Sequence, residues 1–295
     1  MNIELKNKEQ EFFAIVTDFD IKNLQDADFI KIKEAIEKYG VIVLKNQNIN
    51  DDDQIKFSEK FGALEKALEH DRLKGIRSEI TRISNVDENN NLLALDSEKV
   101  IYDRGNRSWH SDSSYKDIPS KFSILSSREI PNEGGGTEYI DARYALETWN
   151  KNNHKYSLND LKDIICEHSI VYSRMVNTGD IFDNAYKEKM PFVKQRLIRT
   201  HPYTKRSAFY VGSHCSHVVG WDIEKGRKLI KDINDWIIKS GEIIHHQWNN
   251  NEIVIWDNRR VLHRGTYFDE SSARRIMHRT TIAGDFPSYK EPVIL

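Results

Sequence analysis

The sequence predicts a mainly β domain, a sandwich or barrel with flanking helices, and three observations carry that prediction. Helical spacing dominates the N-terminal portion. Short β-branched and aromatic runs crowd the later part of the chain. No repeat, low-complexity tract or Pro/Gly linker divides the 295 residues, which contain only six prolines. A single domain over residues 1–295 is therefore expected.

The elements follow in order. Residues 26–39 carry Phe29, Ile32, Ile36 and Tyr39 at helical spacing and stop at Gly40. Val41-Ile-Val-Leu44 is short and β-branched, as a buried strand is. Asp51-Asp-Asp53 is expected to cap a second helix, whose Ile55 and Phe57 lead to Phe61-Gly62. Residues 87–98 are polar and Asn-rich and read as a mobile loop. Phe122-Ser-Ile-Leu-Ser reads as a strand before the Gly134-Gly-Gly136 turn. Residues 141–149 read as a short helix with Ala142, Ala145, Leu146 and Trp149 on one side. After a long gap, residues 222–239 turn Leu229, Ile230, Ile233, Trp236 and Ile237 inward as a helix. Strands are expected at 208–211, 253–256 and 275–283.

Composition bounds the function. Hydrophobic residues at 38% and aromatics at 10% argue for a folded core. Lys+Arg of 44 against Asp+Glu of 46 leaves a net charge of −2, no footprint for nucleic acid or an anionic membrane. The strongest apolar run, Val41-Ile-Val-Leu44, is far shorter than the ~20 residues that cross a bilayer. Met1-Asn-Ile-Glu-Leu-Lys lacks the basic start and apolar stretch of a secretory signal. The two cysteines, Cys166 and Cys215, rule out a disulfide scaffold or zinc ribbon and fit a reducing cytoplasm, the expected location. Both are expected to be buried free thiols.

The chemistry starts at His110-Ser-Asp112. One His-x-Asp is no more than chance predicts, but on a strand positions i and i+2 share a face and can reach one ion. A second imidazole, His263, follows Trp256-Asp-Asn-Arg. Two histidines and one carboxylate with the remaining positions open are what a non-haem Fe(II) oxygenase requires. Its dicarboxylate co-substrate calls for a fixed cation. On a strand, Arg275, Met277 and Arg279 share one face, and Arg274, Ile276 and His278 share the other. Arg275 and Arg279 can therefore clamp two different anions. His201 is expected to order a turn or bond within the core, and His245 and His246 to point to opposite faces.

Several motifs occur together in one order: Asn106-Arg-Ser-Trp-His-Ser-Asp-Ser-Ser, Gly134-Gly-Gly-Thr137-Glu-Tyr, Arg199-Thr-His-Pro202, Trp256-Asp-Asn-Arg before His263, and Arg274-Arg-Ile-Met-His-Arg-Thr-Thr281. In these the sequence resembles the TauD/TfdA-type Fe(II)/2-oxoglutarate-dependent dioxygenases, the 2,4-dichlorophenoxyacetate branch more than the taurine branch. Ser213-His-Cys-Ser-His-Val218-Val-Gly strengthens the resemblance to the former. The resemblance implies a double-stranded β-helix (jelly roll) with flanking helices. It implies His110, Asp112 and His263 as iron ligands, and Thr137 and Arg275 on the distal carboxylate of 2-oxoglutarate. Arg279 would meet the anionic group of a small substrate such as an aryloxyacetate, another carboxylate or a sulfonate, with Asn106 in the pocket. His70, Lys74 and Arg77 are candidate helpers of Arg279, and His214 a candidate pocket residue, with His217 beside it. Fe(II), 2-oxoglutarate and O2 are the implied reactants, succinate and CO2 the implied by-products, and a homodimer or tetramer the implied assembly. A carboxylate at Asp112 favours hydroxylation over halogenation, which needs that position small.

Two other classes compete. A zinc hydrolase can use two histidines and an aspartate but has no reason for the Arg275/Thr137 pair. A non-catalytic jelly-roll binding module would be expected to lose a ligand.

Overall fold

The structure is a computed structural model and describes residues 1–68 and 75–295. A hairpin opens the chain, β1 (Asn2–Asn7) and β2 (Phe12–Thr17), followed by α1 (Asp26–Tyr39), β3 (Val41–Leu44), α2 (Asp51–Glu59), β4 (Thr81–Ser84) and α3 (Glu98–Arg104). Then come β5 (Phe122–Glu129), β6 (Thr137–Asp141), α4 (Ala142–Trp149), α5 (Leu158–Leu161), β7 (Ile165–His168), α6 (Ile170–Thr178) and α7 (Asn184–Lys189). The rest is β8 (Val193–Arg196), β9 (Ile198–Thr200), β10 (Ser207–Phe209), β11 (Cys215–Val218), α8 (Ile223–Ser240), β12 (Ile244–His246), β13 (Ile253–Asp257), β14 (Val261–Gly265) and β15 (Ile276–Ile282).

Seven strands form the major sheet in the order β1-β2-β3-β13-β5-β15-β4, and three form the minor sheet, β12-β6-β14. Between β5 and β15 the chain passes from major to minor sheet and back, β5 to β6, then β12 to β13, β14 and β15. That repeated crossing makes the jelly roll. All strand pairs are antiparallel except β2 with β3.

The major sheet is covered on both faces, which explains the unbroken apolar run at β3. Val41 and Val43 face inward with Leu125, Tyr139, Val254, Trp256 and Met277. Ile42 and Leu44 face out against Ile32 and Ile36 of α1 and Phe57 and Phe61. A strand buried on both sides has no need of polar alternation. Gly40 ends α1 as expected, at φ +73°, its N–H bonded to Ile36 O. On the outer side of the minor sheet, α8 lays Leu229, Ile230, Ile233 and Ile237 against Ile140, Leu146 and Trp149. Each such side chain contributes roughly 1.5–3 kcal/mol by leaving water.

Several expectations need correction. Asn50, not Asp51-Asp-Asp53, caps α2: its side chain accepts from Asp53 N–H at 2.9 Å while Asp53 accepts from Asn50 N–H at 3.1 Å, a reciprocal box. The 87–98 stretch is a loop, as expected, up to Ser97, with Asp87 Oδ1 accepting from the N–H groups of Asn89 and Asn91, both at 2.8 Å, but its last residue, Glu98, already begins α3. The gap before α8 holds three short helices and both small sheets, β11-β7-β8 and β10-β9. The strand expected at 208–211 is β10 and ends at Phe209.

Candidate active site

His110 and Asp112 do not lie on a continuous strand. Only His110 pairs, by reciprocal backbone bonds with His263 (N–H to O at 3.0 and 2.9 Å), after which the chain turns through Ser113 at φ +54°. The pairing, rather than strand alternation, brings the second histidine to the first. Their rings stand 4.2 Å apart. The turn then carries Asp112 back beneath them, its oxygens 3.8 Å from His110 Nε2 and 3.7 Å from His263 Nε2. All three residues are buried.

Each group is held in the form a metal requires. His110 Nδ1 donates to Ser108 O at 2.7 Å, which leaves Nε2 as the lone-pair side. Burial pushes both imidazoles below their ordinary value, and His110 pushes His263 further down, so both are neutral at neutral pH. Burial alone would raise the Asp112 carboxyl. Arg279, His263, His110 and the Ser123 hydroxyl reverse this and hold it well below the usual carboxylate range. Ligand atoms within 4.8 Å of one another, two neutral imidazoles and one carboxylate, fit a divalent ion.

Beneath Asp112 sits Asn258, with no solvent exposure and every polar atom of its amide engaged. Its Oδ1 accepts from Asp112 N–H at 3.1 Å and Trp256 Nε1 at 3.0 Å; its Nδ2 donates to Ser120 and Ser123 Oγ at 3.0 and 2.9 Å. Ser123 in turn donates to Asp112 Oδ2 at 2.6 Å. The Trp256-Asp-Asn-Arg motif thus contains the support of the carboxylate, a role that sequence reasoning did not assign.

Thr137 and Arg275 each act on Tyr139. Trp248 Nε1 donates to Thr137 Oγ1 at 3.0 Å, which leaves the threonine proton to point elsewhere. Beside Thr137 lies the buried Tyr139 hydroxyl. Arg275 Nε donates to Gly135 O at 2.9 Å, and its backbone N–H to Asn85 Oδ1 at 2.8 Å. Gly135, at φ +64°, turns that carbonyl toward the guanidinium, and a Cβ there would approach Arg275 Cδ to 3.2 Å. Burial lowers Arg275 to about 10, so it stays cationic at neutral pH.

One cavity is lined by His110, Asp112, Asn106, His214, Arg174 and Arg279, and a second by Arg275, Asn85 and Asn106. Arg279 Nη1 donates to Asp112 Oδ1 at 2.6 Å. Buried His214 sits edge-on to His110 at 5.6 Å. Asn106 lies on the wall shared by both cavities.

Other assignments divide. His70 and Lys74 lie outside the described residues. Arg77 is turned away, an exposed partner of Asp52 at 3.2 Å, and His217 pairs with Glu167 at 3.3 Å; neither lines these cavities. His278 faces the opposite side of β15, 2.7 Å from Asp51, as strand alternation predicts. His201 does order a turn: its Nδ1 accepts from Thr204 N–H at 3.1 Å and its Nε2 donates to Asp257 at 2.7 Å. Glu37, His201 and Asp257 also cluster, but Arg259 donates to both carboxylates at 2.7 Å and itself supplies the cation there. Cys166 and Cys215 are buried free thiols.

The model of the taurine catabolism dioxygenase TauD, TfdA family matches residues 5–281. The chain belongs to that family. It is 31% identical over 275 residues to an α-ketoglutarate-dependent 2,4-dichlorophenoxyacetate dioxygenase of Cupriavidus pinatubonensis, covering 92% of this chain and 94% of the relative. An (S)-phenoxypropionate/α-ketoglutarate dioxygenase of Sphingobium herbicidovorans is 28% identical over 93% of this chain and 92% of its own. The crystal structure of AAD-2 in complex with Mn(II) and N-oxalylglycine superposes with a TM-score of 0.88 at 32% identity, covering 99% of this chain and all of that one. As a TauD/TfdA-family member the protein is a 2-oxoglutarate-dependent non-haem iron dioxygenase with a small organic substrate, and His110, Asp112 and His263 are its facial triad. That membership displaces the zinc hydrolase and the non-catalytic module. No helix among the described residues is long and apolar enough to cross a membrane.

Proposed function

We propose that this enzyme hydroxylates a small organic anion of the aryloxyacetate type, with other carboxylates and sulfonates as the neighbouring class, in the cytoplasm and as a single domain. The observation that carries the reading is Arg279, a guanidinium fixed by Asp112 at the edge of the cavity beside the triad. A guanidinium presents five donors in a planar fork that matches a carboxylate or sulfonate. Held there, a substrate presents its adjacent carbon to the metal. His214 and Asn106 form the polar wall around it.

The bound ferrous ion supplies dioxygen activation coupled to the oxidative decarboxylation of 2-oxoglutarate to succinate and CO2. The chain supplies orientation. Arg275 receives the distal carboxylate of 2-oxoglutarate, and the Thr137 hydroxyl, already accepting from Trp248, donates its proton to the same group. The wall of Tyr139, stacked on His263, and Trp256, tilted against it, keeps water from that side. One oxygen atom enters succinate and the other the substrate. When the attacked carbon bears an ether oxygen, the product is a hemiacetal that separates into a phenol and an aldehyde acid, so hydroxylation becomes cleavage.

The test is succinate release with Fe(II), ascorbate and O2 across phenoxyacetate, 2,4-dichlorophenoxyacetate, taurine and simple carboxylates. Aryloxyacetates are expected to be turned over best. Arg279→Ala should raise the KM for the primary substrate and leave that for 2-oxoglutarate unchanged. A variant that keeps its substrate KM removes the assignment of Arg279, and turnover confined to taurine moves the substrate to the sulfonates.

A further inference from the structure

In the cavity beside the triad lies a second guanidinium, unused by the reaction described above. Arg174, on α6, is only 3% exposed and shares the cavity wall with His110, Asp112 and Arg279. Its side chain makes one hydrogen bond among the described residues, from Nη2 to the neutral Asn106 Oδ1 at 2.8 Å. Nε and Nη1 are buried without a partner.

Residues 102–106 are shaped around it. The guanidinium carbon lies 4.4 Å from the Tyr102 ring centre. Gly105 has ordinary helical angles, φ −60° and ψ −22°, so its backbone does not call for glycine. A Cβ there would come within 2.6 Å of Arg174 Cδ and Nη1, so the absent side chain is what admits the guanidinium. A ring, a gap and an amide hold a cation in place, and none of them neutralises it. A buried charge without a counter-charge is costly, and among the described residues no carboxylate hydrogen-bonds to this guanidinium.

We propose that Arg174 and Arg279 form a two-point clamp that selects an organic dianion, a small acid carrying two separate acidic groups, one for each guanidinium. The proposal rests on the assignment of Arg279 above and narrows the substrate class.

The test is calorimetric titration, without oxygen, of the enzyme loaded with Fe(II) and 2-oxoglutarate. The probes are phenoxyacetate and its ortho-, meta- and para-carboxy derivatives, which add a second charge at three spacings. At least one derivative is expected to bind ~10-fold more tightly than phenoxyacetate. Arg174→Gln should bring that ratio close to one, and Arg174→Lys should restore part of it. Should Arg174→Gln fail to fold by circular dichroism, Gly105→Ala, whose methyl displaces the guanidinium, is expected to lose the same preference. Equal or weaker binding of all three derivatives by the wild type overturns the proposal, as does a preference that survives these substitutions. A rise in the 2-oxoglutarate Kd in Arg174→Gln, with the dianion preference intact, also overturns it and assigns the guanidinium to the co-substrate. Failure of phenoxyacetate to bind, alongside tight, Arg174-dependent binding of a derivative, counts against the aryloxyacetate reading and supports the clamp.

Discussion

Replacing Asn258 with alanine tests whether the support beneath the metal carboxylate is as tightly specified as its geometry implies. The substitution strands two donors that have no alternative acceptor in place, Asp112 N–H and Trp256 Nε1–H. The Ser120 and Ser123 hydroxyls lose only an accepted bond and keep their own donations to Asp112 O and Oδ2. Each stranded buried donor costs about 1–3 kcal/mol, so the pair costs roughly 4 kcal/mol. At about 2 °C per kcal/mol for a chain of this size, the Tm should fall by roughly 8 °C. The same change frees Asp112 to rotate, and loss of an outer partner typically weakens a metal site about 10- to 100-fold. Differential scanning calorimetry reads the first effect, and Mn(II) titration followed by electron paramagnetic resonance reads the second. A variant that melts within about 2 °C of wild type and holds Mn(II) equally well would refute the reasoning.

Two further outcomes are expected. Trp248→Phe removes the donor that turns the Thr137 hydroxyl, so the KM for 2-oxoglutarate should rise about 3- to 10-fold with kcat unchanged; steady-state kinetics with an unaltered KM would contradict this. Glu252 is buried against the Lys45 ammonium, His246 and Asn249; burial would raise its carboxyl, but hydrogen bonds from these three lower it to about 2 from an ordinary 4.5. Its contribution, on the order of 3 kcal/mol, is therefore present above pH 4.5 and lost as the pH falls toward 2. The stability gap between wild type and Glu252→Gln, read from urea melts, should be constant from pH 6 to 8 and shrink below about 4.5, and a gap independent of pH would refute it.

The elements legible in the sequence are those whose signal is local. Helix α1 with Gly40, the doubly covered β3, the Phe122 strand, α4 and α8 each carry a period or stop signal within one stretch of chain. The triad, Thr137, Arg275 and Arg279 were legible as residue types in an ordered set of motifs. The β1–β2 hairpin was missed although Ile3 and Leu5 alternate with polar neighbours, because so short an alternation is ambiguous alone. Helices α5, α6 and α7 have four, nine and six residues, too short for a period to declare itself.

The sequence by itself therefore determined which groups are available: the ligands, the cations and the apolar segments that enclose them. Only the tertiary structure decided which of them meet. A backbone bridge, not strand alternation, joins His110 to His263. Arg279 spends a donor on Asp112, 167 residues away, and Arg174 reaches Asn106 across 68 residues through the gap at Gly105. Local periodicity reports which face a side chain is on. What lies opposite that face depends on register between strands and on loops closed over long distances, and a single strand or helix carries no record of either.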